Sequence, residues 1–307
     1  MRIATFNVQN MRLRQDHGWA RLDGARDGDA PDDSGPGAAA LDPVDRRLTA
    51  AVLARADADV VALQEVFDAE TLDHFYDYFL RPAGLEPYPH RICLPGNDGR
   101  GLDLALLSRP APLAVHSHAA ETPDTLGLRA PPGIAPGRPV FRRDCLEVAL
   151  PALTLFVCHF KAPYPDAEDT RAIRRLEAAA VRTLIARRFA DHAGAMWMVL
   201  GDLNTARRGD APANAPLAEM AEDLVARCPA QERWSYHDSH GDFYTRPDAM
   251  LASPALAARF PEARPRILRH GMGREAARYT GPRLGPVGDH RPHASDHAAL
   301  VIDLPGL

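Results

Sequence analysis

Asp59-Val60-Val61-Ala62-Leu63-Gln64-Glu65 sets four apolar residues in a row and then breaks into an amide and a carboxylate. A run this short and this apolar reads as a strand buried on both faces. The polar pair that closes it is costly to desolvate unless a cation or a hydrogen-bond donor compensates. The same arrangement recurs in both directions along the chain. Ile3 to Val8 reads as a strand closed by Asn7. Leu155-Phe156-Val157-Cys158 runs into His159, and Met198-Val199-Leu200-Gly201 runs into Asp202 and Asn204. Asp248 opens Ala249-Met250-Leu251, and Ser295-Asp296-His297 opens Ala298-Ala299-Leu300-Val301-Ile302.

Helical periodicity falls between these runs. Asp45 to Ala58 places Leu48, Val52, Leu53 and Ala56 on one face, and Ala69 to Leu80 is a second candidate. Asp166 to Asp191 repeats Ile173, Leu176, Ala180, Leu184 and Ile185 with helical period. Further strands are expected over Gly101 to Ser108, Phe141 to Leu150 and Leu153 to Phe160, the last two joined at Pro151-Ala152. Two stretches, about 16–43 and 271–293, lack periodicity and read as long loops, as does the Pro/Gly-rich Pro123 to Pro139. The mixture has no clear boundary and fits one α/β domain over residues 1–307. No glycine-rich loop follows the first strand, which argues against a dinucleotide or P-loop fold.

The 307 residues carry a net charge of −5, and 46% are hydrophobic. That is an ordinary globular mix with no run long enough to span a membrane. An acidic chain does not hold nucleic acid by phosphate neutralisation alone, so any polyanion must meet a local basic patch or a bridging metal. Lys161 is the single lysine among 36 Lys and Arg residues, a bias that reads as genome composition. Cys93, Cys145, Cys158 and Cys228 lie too far apart for a zinc or redox motif and are expected as reduced thiols. The polar start Met1-Arg2-Ile3-Ala4-Thr5 does not read as a signal peptide, so a cytoplasmic location is the expectation.

Several carboxylates and an amide converging at strand ends would form an oxygen-rich site suited to Mg²⁺ or Mn²⁺. Nearby histidines supply donors that titrate near neutrality. This set suits hydrolysis at phosphorus. Taken singly, each residue has a plainer reading. Asn7 would be a turn residue, Glu65 a helix cap, Asp202 and Asn204 an Asx turn, Asp248 a loop acid, and His159 and His297 hydrogen-bonded structural groups.

In order along the chain, Phe6-Asn7-Val8, Leu63-Gln64-Glu65-Val66, Leu104-Ala105-Leu106-Leu107-Ser108-Arg109, Cys158-His159-Phe160-Lys161, Gly201-Asp202-Leu203-Asn204, Asp248 before Met250-Leu251, and Ser295-Asp296-His297 resemble the endonuclease/exonuclease/phosphatase superfamily. The resemblance runs from about Arg2 to Leu304. It implies a four-layer α/β sandwich, two facing mixed sheets flanked by helices. It implies Glu65 as the main Mg²⁺ carboxylate, helped by Asn7 and Asp296. Asp202 would position or deprotonate the attacking water, and Asn204 would steady the phosphoryl group. His297, oriented by Asp248, would donate to the scissile phosphate. His159 stands where relatives carry a His or Tyr acting on the phosphate or leaving oxygen. Gln9 replaces an acid found in repair-type members, and Ala249 replaces an aromatic, His or Arg.

Around this set, Arg100 reads either as facing a phosphate or as a solvated loop arginine, and Lys161 is placed to meet a phosphate oxygen as a point charge. Trp234 and Tyr236 read either as stacking groups or as core aromatics, their spacing of two suiting one face of a strand. His290 and His293 read as loop residues. The acids Asp27, Asp29, Asp32 and Asp33 read as a solvated loop rather than as a second cation site. The resemblance implies a metal-dependent phosphoesterase, with a nuclease acting on nucleic acid as the leading expectation. A phosphatase or phospholipid phosphodiesterase is the alternative, and a catalytically silent binding module ranks below both, because no core site residue is lost. The sequence points to no protein partner.

Overall fold

The computed structural model describes residues 1–16, 18–27, 35–205 and 213–307. The first part of the chain holds β1 (Arg2–Met11), β2 (Leu13–Asp16), β3 (Trp19–Leu22), α1 (Gly35–Ala56), β4 (Val60–Val66) and α2 (Ala69–Phe75). There follow β5 (His90–Leu94), β6 (Asp103–Ser108), β7 (Ala114–Ser117), α3 (Pro123–Leu126), β8 (Cys145–Ala149), β9 (Thr154–His159) and α4 (Ala167–Arg188). The last part holds β10 (Trp197–Asp202), α5 (Ala215–Ala218), β11 (Glu222–Asp223), β12 (Tyr236–Asp238), β13 (Phe243–Thr245), β14 (Asp248–Ala252), α6 (Pro254–Arg259), β15 (Arg266–Leu268) and β16 (Ala299–Asp303).

Two six-stranded mixed sheets form, in the orders β15-β16-β1-β4-β6-β5 and β11-β14-β10-β9-β8-β7. The strands are apolar throughout because both of their faces are covered. In β4, Val60 and Ala62 point between the sheets, while Val61 and Leu63 face the layer of α1 and α2. In β9, Leu155 and Val157 join the intersheet core, while Phe156 and Cys158 meet α4 through Leu176, Val181 and Leu184. Alternation with period two, apolar on both sides, produces the four layers α/β/β/α.

Three expectations need correction. The stretch 16–43 is not one loop. Its start pairs as the hairpin β2–β3, and α1 begins at Gly35, ten residues before the periodic stretch. The helix continues through Pro43, whose missing N–H and fixed ring argued for a break there. Its early turns are fastened instead by buried Asp42 and Asp45, which pair with Arg291 at 2.9 and 2.6 Å. Second, the Pro-rich stretch from Pro123 contains the short helix α3, capped by Thr122 through the Thr125 N–H at 3.1 Å. Third, Trp234 and Tyr236 do not share a strand face, because Trp234 precedes β12. The other expected loop, 271–293, holds no helix or strand. No helix among the described residues is long and apolar enough to cross a membrane.

Candidate active site

Register brings the polar strand ends together. β9 and β10 run parallel with His159 opposite Asp202, and β14 runs antiparallel to β10 with Asp248 opposite Asp202. His159, Asp202 and Asp248 therefore stand in one row along an edge of the second sheet. Gly201 makes this row possible. Its φ is +131°, and a Cβ there would lie 2.0 Å from the Cys158 carbonyl oxygen.

The first sheet supplies the opposite half. The β1–β4 pairing shifts register beyond Asn7, and Glu65 is the extra residue between Gln64 and Val66 against β6. Glu65 takes φ +68° at this bulge, and Gln9 and Asn10 take +49° and +51°. Left-handed backbone at non-glycine residues costs of order 1–3 kcal/mol each and persists where the surroundings enforce it. Here the Asn10 N–H donates to Glu65 Oε2 at 2.8 Å, and the Gln9 N–H donates to Asn7 Oδ1 at 3.0 Å. The fully buried Arg46 guanidinium fastens the turn from beneath, donating to the carbonyls of Val8 (2.6 Å), Gln9 (2.8 Å), Asp23 (2.6 Å) and Gly24 (2.6 Å).

Asn7 joins the two halves. Its Nδ2 lies 3.1 Å from Asp202 Oδ2 and 3.3 Å from Glu65 Oε1. His159 Nε2 lies 3.4 Å from Asp202 Oδ2 and 4.0 Å from Glu65 Oε1. Asn204, at φ +46°, donates its backbone N–H to Asp202 Oδ1 at 2.9 Å and its amide to the Phe160 carbonyl at 3.0 Å. Asp248 Oδ2 accepts from Ser235 Oγ at 2.6 Å and lies 2.9 Å from His297 Nδ1. The other ring nitrogen of His297 is 3.8 Å from Asp202 Oδ2. Ser295 Oγ donates to the Asn7 carbonyl at 2.8 Å and accepts from the His297 N–H at 3.0 Å, tying the approach to β16 onto β1.

The two histidines are electrically unlike. Burial alone would push His297 down, but the charges of Asp248 and Asp296, the hydrogen bond to Asp248 and the Asp202 charge hold it well above its ordinary value. Burial pushes His159 well below its ordinary value, and the cations Arg143, Arg100 and Lys161 and the charged His297 add to this. His297 is thus the protonated ring and His159 the neutral one. Burial and the Asp248 charge raise Asp202 to about 6, against the pull of His297 and the donors from Asn204 and Asn7.

Asp296, partly buried at the cleft, is raised to about 8 by burial and by the charges of Asp27 and Glu65, with His297 opposing. Asp27 lies beside Asn10, whose Nδ2 is 3.2 Å from its Oδ1. An acidic group of this kind, with oxygen donors only, fits a hard divalent cation. No three His, Cys, Asp or Glu side chains among the described residues converge on one point. The donor set therefore fits Mg²⁺ held by one or two carboxylates with water completing its sphere. Asp29, Asp32 and Asp33, expected to share the Asp27 loop, lie outside the described residues.

These groups line a cleft of about 960 Å³ together with Arg100, Arg142, Arg143, Lys161, Tyr164, Tyr236 and Phe243. Arg100 and Arg143 share Asp98, at 3.2 and 3.1 Å. Arg142 and Lys161 form no ion pair among the described residues and bond to carbonyls instead. Their backbone N–H groups both donate to buried Glu177 of α4, at 3.0 and 2.8 Å. Tyr236 packs its ring 4.8 Å from that of His297, whereas Trp234 is core, under the Arg269 guanidinium at 4.2 Å. His293 is buried against the Ala25 carbonyl, and His290 pairs with Glu275. Sequence reasoning took Asp27 for a solvated loop acid and passed over Arg142, Arg143 and Tyr164. The Arg142-Arg143 doublet ahead of a buried strand was the one signal available for them.

The profile of the Endonuclease/Exonuclease/phosphatase family matches residues 4–297. The chain belongs to this family. It is an endonuclease/exonuclease/phosphatase phosphoesterase, a hydrolase of a family that is typically metal-dependent. No curated protein matches it significantly. Among solved structures, a family protein from Leptotrichia buccalis C-1013-b superposes with a TM-score of 0.60 at 16% identity, covering 99% of each chain. A family protein from Bacteroides thetaiotaomicron gives 0.57 at 14% identity, covering 98% of this chain and 96% of that one. Truncated Caenorhabditis elegans TDP2 gives 0.56 at 14% identity, with the same coverage. At these identities the likeness is one of fold, the DNase I-like pair of sheets expected from the motifs.

Proposed function

We propose that this family member is a nuclease, hydrolysing phosphodiester bonds by in-line attack of water. The observation that supports this reading is the cationic wall of the cleft. Arg100, Arg142, Arg143 and Lys161 stand beside the catalytic row, and Asp98 is the one carboxylate that pairs with any of them among the described residues. Such a wall favours a substrate with further negative charge next to the scissile phosphate. It disfavours a phospholipid whose headgroup carries a quaternary ammonium.

Within this reading, Glu65 and Asp296 would hold a divalent cation, with Asn7 ordering Glu65 against Asp202 and Asp27 adding its charge beside them. When bound, the cation would neutralise charge on the phosphoryl oxygens. Asp202 orients the attacking water and takes its proton, a role that suits a carboxylate raised to about 6. Protonated His297 donates to a non-bridging oxygen as charge builds there, and Asp248 keeps its ring aimed and charged. Neutral His159 positions Asp202. Asn204 fixes the second oxygen of the same carboxylate.

The test is hydrolysis of single-stranded DNA, RNA, an inositol polyphosphate and sphingomyelin with Mg²⁺ or Mn²⁺, beside an EDTA control and Asp202→Asn. Metal-dependent cleavage of a nucleic acid, lost by several powers of ten in the variant, is expected. Phosphate release or lipid cleavage with inert nucleic acids would overturn the reading.

A further inference from the structure

Tyr164 lies at the cationic end of the cleft and is 76% exposed. A large aromatic ring left in solvent at the mouth of a polar cleft has no packing role. Its segment is nevertheless held firmly. Lys161 Nζ donates to the Tyr164 carbonyl at 2.6 Å, and the Lys161 N–H is anchored on buried Glu177. Pro163 and Pro165 flank it and restrict the backbone on both sides. The ring is thus presented on a stiff support beside Lys161, in a cleft that Arg142 also lines; these are the two wall cations without a carboxylate partner among the described residues.

Alternating cations and an exposed ring are what a single strand of nucleic acid requires. Cations follow the phosphates, and a flat apolar face takes an unpaired base. Ala162, Pro163 and Pro165 line the same cleft as Arg142 and Lys161. We propose that Tyr164 is a base-stacking platform, and that the substrate is single-stranded nucleic acid engaged through one stacked base and its flanking phosphate. The inference rests on the nuclease reading and adds the strand state and the stacking residue.

The experiment is a cycle between protein and substrate. Wild type, Tyr164→Ala and Tyr164→Trp are compared on a single-stranded oligodeoxynucleotide and on an abasic strand of equal length with the same phosphates. On the base-bearing strand Tyr164→Ala is expected to raise KM about five- to 100-fold with little change in kcat, as loss of one stacked base implies. Tyr164→Trp is expected to retain wild-type KM. The two changes are expected to be non-additive, so that removing the bases weakens wild type far more than it weakens Tyr164→Ala. Equal losses for Tyr164→Ala on both strands would overturn the platform while leaving the nuclease reading intact. Wild-type enzyme inert on both strands, yet active on a lipid or an inositol phosphate, would overturn both.

Discussion

Asp248 and His297 meet through a 2.9 Å contact between Oδ2 and Nδ1, closed off from solvent, and the same carboxylate oxygen accepts from Ser235 at 2.6 Å. A ring held in this way keeps one nitrogen for Asp248 and turns the other toward Asp202. The pair sets both the direction and the charge of the donor.

Removing the Asp248 charge removes a main support of the raised His297 pKa. The protonated ring is present below that pKa and lost above it, so activity falls on the alkaline side. Asp202 must be ionised, so activity falls on the acid side as pH drops through about 6, or lower once a cation sits nearby. Asp248→Asn is expected to move the alkaline limb of the kcat profile to lower pH and to reduce kcat by about 10²–10⁴. A slower enzyme with an unmoved alkaline limb would contradict the assignment.

Asp27 adds to the charge that strains Asp296, and it stands beside Asn10, whose N–H holds Glu65. Asp27→Asn is expected to weaken Mn²⁺ or Mg²⁺ binding about 10–100-fold, the range for a group supporting direct ligands. Titration calorimetry reads this directly, with Glu65→Gln as the more severe comparison. An isotherm matching wild type would remove Asp27 from the site.

Arg46 touches no substrate, yet four carbonyls depend on it. Arg46→Met is expected to destabilise the fold by about 3–5 kcal/mol, because it leaves buried acceptors unpaired. Arg46→Lys would recover only part of this, since one ammonium cannot span the positions of a planar fork. Urea denaturation measures both variants. A loss for Arg46→Met below about 1 kcal/mol would show that the Gln9-Asn10 turn holds itself.

The strand ends were legible because burial on both faces writes an apolar run, and a carboxylate breaking such a run stands out. The two central sheets follow from that pattern. The edge strands β5, β7 and β15 did not, because each is half-exposed and carries His or Arg among its few apolar residues. The start of α1 was hidden by Pro43 and by glycine-rich composition, while its anchorage on Arg291 spans 249 positions of chain. The same distance problem concealed the Arg142-Arg143 part of the cleft wall, although Arg100 and Lys161 were singled out. Arg142 and Glu177 are inconspicuous alone and meet, through the N–H groups of Arg142 and Lys161, only after α4 packs on the second sheet. The bulge that aims Glu65 left no mark either, since no glycine signals its left-handed backbone.

The contact between Asn7 of β1 and Asp202 of β10 crosses from one sheet to the other, and His297 arrives just ahead of β16, which pairs with β1. Neither sheet alone carries a working half. The candidate site is whole only when the two ends of the described fold, β1 and β16, lie paired side by side.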